Sequence, residues 1–207
     1  MKSTWGRMSG WVLGACVALA WTARGAEQVF VFGADGAKHN NIMIESQTDL
    51  ESIITTSNTI SGEMKYDVEA KTGSAKLSVP VKSLSTGIAM RDEHLQGDKW
   101  LNMAKNPNIA FETTAVKHKD GEQYEVTGNF TMNGVTKPVT AVATLKYIPY
   151  KPEFEKAHLP KANIVKVSTT FELKLSDFEV KTPAVPAMVS DALKVTLRLT
   201  GFAKLKE

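Results

Sequence analysis

The sequence is poor in the residues that build the more conspicuous functional classes. Its 207 residues include one cysteine, Cys16, and a lone thiol makes neither an internal disulfide nor a cysteine metal site. The four histidines, His39, His94, His118 and His158, are scattered with no pair three or four residues apart, so the ligand spacing of a metal site is missing. Neither sign of charge dominates, with 25 Lys and Arg against 22 Asp and Glu and no like-charge block. No sequence-wide pull toward phosphate backbones or anionic surfaces results, which argues against nucleic acid as a partner. No G-x-S-x-G elbow marks a nucleophile. Gly33-Ala34-Asp35-Gly36 and Gly121 sit in no strand-to-helix phosphate loop. Repeats and low-complexity tracts are absent, and 43% hydrophobic with 23% charged residues excludes a disordered or coiled-coil chain.

Long apolar runs are also lacking, save one. Trp11 to Trp21 is 11 residues long, well short of the ~20 that a membrane helix needs, so no membrane span is expected. Lys2 and Arg7 precede it, and Ala23-Arg24-Gly25 follows with small residues at the positions a signal peptidase reads. The segment 1–25 therefore reads as a signal peptide cleaved after Gly25, and 26–207 as one exported domain, periplasmic or secreted. Removing Lys2, Arg7 and Arg24 leaves 22 basic against 22 acidic residues. A rival reading makes Cys16 the lipidated first residue of a lipoprotein. The apolar Val17 to Trp21 that follows it favours the first reading.

From Gln28 onward the dominant pattern has period two, the signature of half-buried strands. Ala75, Leu77, Val79 and Val81 alternate with Lys76, Ser78, Pro80 and Lys82. Similar alternation runs through Gln123 to Thr131, Lys137 to Tyr147, Val165 to Leu175 and Leu193 to Leu199, with weaker runs at Val29 to Phe32, Asn41 to Ser46, Thr59 to Tyr66 and Ile109 to Val116. Asn133-Gly134 between two such runs predicts a type I′ hairpin, and Lys119-Asp120-Gly121 and Lys71-Thr72-Gly73 predict two further turns. Only Met90 to Lys105 breaks the pattern, as two short helical turns interrupted at Gly97-Asp98; Pro149 to Pro160 reads as a long excursion between strands. About eight antiparallel strands with one short helical segment must stack as a sandwich or close as a barrel, and periodicity does not choose between them.

Particular blocks of residues carry a family resemblance. Ser83-Leu84-Ser85-Thr86-Gly87, then Arg91-Asp92-Glu93-His94-Leu95, then Asn106-Pro107 before Ile109-Ala110-Phe111, then Val126 to Val139 (VTGNFTMNGVTKPV), follow one another at spacings that resemble the YceI-like family. Phe171 to Phe178 and the last strand fit as well. The resemblance implies an all-β, lipocalin-like antiparallel barrel whose apolar interior holds a polyisoprenoid, such as a prenyl phosphate or a quinone. Tyr147 to Asn163 and Thr182-Pro183-Ala184-Val185-Pro186 depart from the family pattern, which leaves the ligand's identity open.

Under that resemblance the lipid-lining candidates are Val79, Val81, Leu84, Phe111, Tyr124, Val126, Phe130, Val139, Leu145, Phe171, Leu173, Val195 and Leu197, joined by Leu199. On the residues alone such a stripe reads as ordinary packing, because it looks the same whether it meets protein or lipid. Arg91, Asp92 and His94 are headgroup or mouth candidates: Arg can grip an oxyanion in two places and His can take a proton. A carboxylate near a helix start is equally a cap, and Arg91 equally a tie between helix and sheet. The expectation is a binder and not an enzyme, with no catalytic residue, metal or cofactor other than the bound lipid, and with pairing into a homodimer left open. Two alternatives are an enzyme acting on a lipid-like substrate through Arg91, Asp92 and His94, and a filled barrel serving envelope stress or interaction.

Overall fold

The computed structural model describes residues 27–33 and 39–205. The leader, its cleavage point, Cys16 and Ala34-Asp35-Gly36 lie outside the described residues. The alternating runs form ten strands: β1 Gln28–Phe32, β2 Asn41–Gln47, β3 Ser52–Ser57, β4 Ser61–Asp67, β5 Thr72–Pro80, β6 Asn108–Asp120, β7 Gln123–Met132, β8 Val135–Ile148, β9 Ala162–Lys174 and β10 Ala192–Lys204. All pairings are antiparallel, in the order β1-β4-β5-β6-β7-β8-β9-β10-β2-β3, and β1 closes back onto β10 at Val31↔Phe202.

Ten strands fill eight positions around the barrel. β2 pairs with the first half of β10, from Lys194↔Glu45 to Arg198↔Asn41, while β1 meets its second half. Both run the same way along the same edge, so they form one wall position interrupted between Phe32 and Asn41. Their neighbours in the sheet repeat the break, since β3 pairs with β2 and β4 with β1. Asn40 spans the interruption and is 2% exposed. Its side-chain oxygen accepts from the Thr200 amide at 2.9 Å and its amide donates to the Ile60 carbonyl at 3.4 Å. Two backbone groups that would lose their ladder partners are thus satisfied by one side chain. The run Ser52–Ser57 was absent from the sequence-derived strands, because Ile53-Ile54-Thr55-Thr56 alternates too weakly to declare a face.

The turns follow their chemistry. Asn133 and Gly134 take φ of 51° and 76°, the double positive of a type I′ turn, and Met132 pairs directly with Val135. Aromatic rings seat on glycine where strands crowd. A Cβ on Gly128 would lie 2.3 Å from the Phe111 ring, and one on Gly201 would lie 2.7 Å from Phe32.

One end of the barrel carries the chain between β5 and β6: a 3₁₀ turn at Val81–Ser83, helix α1 at Ala89–Gln96, and hydrogen-bonded turns from Gly97 to Asn106. Gly97 ends the helix where the sequence placed the interruption. The excursion between β8 and β9 adds a second, four-residue helix, α2, at Glu153–Lys156. Among the described residues no helix is long and apolar enough to cross a membrane.

The alternation of Ala75 to Lys82 does not continue as strand to its end. β5 stops at Pro80, and Val81 turns under the barrel into the plug formed with Leu84, Leu101, Leu175, Phe178 and Val180, all buried. The last bond of the β5–β6 pair runs from the Val81 amide to the Pro107 carbonyl at 2.9 Å, and the backbone then enters the 3₁₀ turn, where the Leu84 amide donates to the Val81 carbonyl at 3.1 Å.

Candidate functional site

Every second residue of each wall strand points into the barrel, and those side chains do not meet in the middle. A cavity of about 140 Å³ runs between them. On the same measure one water needs only ~10–15 Å³, so this is a chamber and not a packing defect. Its wall on β8 reaches from Val139 to Leu145, about 20 Å of strand at ~3.3 Å per residue, or about 15 Å along the axis at a strand tilt near 40°. Leu77, Phe111, Val126, Val139, Leu145, Val167, Phe171 and Leu197 face inward yet stay only half-buried. In a filled core such side chains would be sealed against one another.

Of the sequence-derived lining residues, Val79, Phe111, Tyr124, Val126, Phe130, Val139, Leu145, Phe171, Val195, Leu197 and Leu199 border this inner cavity. Three do not. Val81 belongs to the plug because the strand ends at Pro80, Leu84 lines a second, outer cavity, and Leu173 is buried in the core cluster without reaching either. Sequence reasoning missed Phe32, Ile42, Ile60, Met64, Tyr66, Leu77, Ile109 and Val167 as lining. Leu77, Ile109 and Val167 share the phase of the chosen residues and could have been read from it. The others come from short strands or junctions, where too few alternations exist to fix a face.

A second cavity of about 220 Å³ continues the first along the same inward phases. On β10 Leu193 faces the outer cavity and Val195, Leu197 and Leu199 the inner; on β2 Ile44 and Ser46 face the outer and Ile42 the inner; on β7 the division falls between Met132 and Phe130. Ile109 touches both. The partition is aromatic: Phe130 packs edge-on against Phe171 at 6.1 Å and Phe178 at 5.5 Å between ring centroids. The outer cavity is roofed by Leu95, Trp100 and Leu101 from the α1 segment, and by Ala184, Met188 and Val189 from the β9–β10 connection.

Arg91, Asp92 and His94 separate here. Arg91 and His94 line the outer cavity and Asp92 lines neither. The Arg91 guanidinium is ion-paired and hydrogen-bonded to Glu51, a link from α1 to the β2–β3 turn, so its charge is neutralised where it stands. The Asp92 carboxylate accepts from the Thr86 amide and hydroxyl, both at 2.6 Å, and from the Ser85 hydroxyl at 2.8 Å. Burial works to raise its pKa, but those bonds and the neighbouring Arg91 outweigh it and leave the carboxyl below its usual range. Engaged in this way, it fastens the turn before the helix and does not orient His94. No cluster of three or more His, Cys, Asp or Glu residues suited to a metal ion occurs among the described residues.

At the opposite end the inner cavity is crossed by two tyrosines. Tyr66 on β4 and Tyr124 on β7 are separated along the wall by β5 and β6, yet their hydroxyls meet at 2.7 Å. Beyond them Phe30 and Val165 are fully buried and Phe30 packs edge-on against Tyr147, so that end of the barrel is filled.

Comparison with known proteins agrees with this architecture. The model of the YceI-like domain matches residues 35–201. A UPF0312 protein of Pseudomonas aeruginosa is 37% identical over 133 residues, 61% of this chain, and the match spans 61% of that relative's length. Among solved structures, Burkholderia cenocepacia BcnA superposes with a TM-score of 0.66 at 21% identity, covering 78% of this chain and 95% of that one. A polyisoprenoid binding domain from Saccharophagus degradans superposes with a TM-score of 0.62 at 14% identity, covering 86% and 99%. At those identities the two structures speak for the barrel fold, while the domain match extends over most of the sequence. This chain is a member of the YceI-like family.

Proposed function

We propose that the protein is an exported carrier that takes up a hydrophobic ligand of the polyisoprenoid class, with the hydrocarbon chain lying in the inner cavity. The observation that carries this reading is the elongated chamber walled almost wholly by aliphatic and aromatic side chains, many of them only half-buried. Covering apolar surface of that kind stabilises a complex by about 25 cal/mol per Å² without any charged contact. A tail too insoluble to cross water alone is then moved by exchanging water for protein walls. The name of the Saccharophagus degradans domain, whose fold this chain shares, supports the same ligand class.

Binding, and not turnover, is the reading the site supports, because the carboxylate that would have to orient His94 is engaged by Ser85 and Thr86. Export rests on the reading of residues 1–25 as a leader. The test is detergent-free purification of the processed protein followed by solvent extraction and mass spectrometry. A stoichiometric prenyl lipid is expected; extracts free of lipid from several expression hosts overturn the carrier reading.

A further inference from the structure

The tyrosine bar leaves a proton unspent. Tyr66 and Tyr124 are 4% and 3% exposed, both line the inner cavity, and their rings meet edge-on at 6.2 Å. Two phenols carry two O–H donors, and the 2.7 Å contact consumes one of them. The other has no acceptor among the described residues. A buried donor without an acceptor is costly, and the cost vanishes when a guest molecule supplies the oxygen. Burial, aided by the bond from Tyr124, pushes the Tyr66 hydroxyl well above the ordinary phenol range, so it stays a neutral donor at any physiological pH.

Among the described residues no Lys or Arg lines the inner cavity, and Arg91 in the outer one is already matched by Glu51. A phosphate drawn into the inner chamber would therefore lose its hydration with no counter-charge to replace it. An uncharged oxygen pays far less to be desolvated and is a good acceptor for a phenol.

We propose, resting on the carrier reading above, that the Tyr66–Tyr124 pair receives the polar end of the ligand, donating its free O–H to an uncharged carbonyl or hydroxyl oxygen. The lipid then sits head-inward, with its chain directed toward the aromatic partition and the α1 end.

The experiment measures affinity of the full processed protein for four ligands of matched chain length: a prenylated quinone, a polyprenol, a polyprenyl phosphate and an isoprenoid hydrocarbon. Wild type is expected to bind the quinone, the polyprenol or both about fivefold tighter than the hydrocarbon, as one hydrogen bond predicts. The ratio between those two identifies the oxygen. The double substitution Tyr66→Phe/Tyr124→Phe keeps both rings, and is expected to abolish the preference, so that the oxygenated ligands bind no tighter than the hydrocarbon. The single substitutions then tell which hydroxyl faces the ligand, because the remaining tyrosine still donates if it is the nearer one. For the quinone, the infrared carbonyl stretch is expected to fall on binding to wild type and not to the double variant. An unaltered preference in the double variant overturns the assignment. So does tightest binding of the phosphate with dependence on Arg91, which would place the head in the outer cavity. Failure of wild type to bind even the hydrocarbon removes the carrier reading and this one with it.

Discussion

Asn40 shows how much a single side chain decides in this wall. It stands where the first two barrel positions are broken, and its amide group does for Thr200 and Ile60 what a neighbouring peptide would have done. Its own carbonyl also accepts from the Asn58 side chain at 2.7 Å. Replacing it by alanine leaves a buried N–H and a buried C=O without partners, and Asn40→Ala is expected to cost about 3 kcal/mol in denaturant unfolding. Asn40→Asp is expected to cost nearly as much, because a carboxylate can accept from Thr200 but cannot donate to Ile60. None of this was legible in the sequence, where Asn40 is one of two adjacent asparagines beside a weak strand. Asp92 was half legible: a carboxylate near a helix start is a recognisable cap, but which amide it would serve depends on the fold of residues 85–88.

At the level of elements, the sequence showed the period-two runs and missed what ends them. β7, β8, β9 and β10 are long enough for the inward phase to declare itself, and their residues bordering the inner cavity were all identified apart from Val167, Thr169 and the small side chains on β8, with Leu173 named although it does not reach the cavity. β5 misled because alternation continues through Val81, past Pro80, where the strand gives way to a 3₁₀ turn. The two groups of leucine that result differ in energy. Leu77 faces the open chamber and is half-buried, whereas Leu173 sits in the core cluster at 8% exposure and borders neither cavity. Truncation at Leu173 opens a new void and is expected to cost about 3–4 kcal/mol. Truncation at Leu77 only widens an existing one, and without ligand Leu77→Ala is expected to cost about 1–2 kcal/mol in the same unfolding measurement. Equal losses at the two positions would show that the chamber collapses around its walls in solution.

For the molecule as a whole, closure was the step that periodicity could not supply. Sandwich and barrel write the same alternation, and what separates them here is the pairing of β1 with β10, a contact between residues 171 apart in the chain at Val31↔Phe202. Hollowness is a further step removed, since a stripe of valines and phenylalanines carries no mark of what it faces. The break in the first two barrel positions has its own result. β3 is held along one edge by β2, but among the described residues its other edge has one backbone bridge, Thr56↔Ser85, with bonds of 2.8 and 2.9 Å, helped by a side-chain bond between Ser57 and Ser83 at 2.7 Å. Ile54 lies two residues back on that same edge, its side chain 54% exposed, while Thr55 turns its amide to β2. In amide hydrogen exchange Ile54 is expected to lose protection well before Thr55, and both before the middle of β8. The vessel is thus stitched shut everywhere except along this seam, and thermal agitation will unpick it there first.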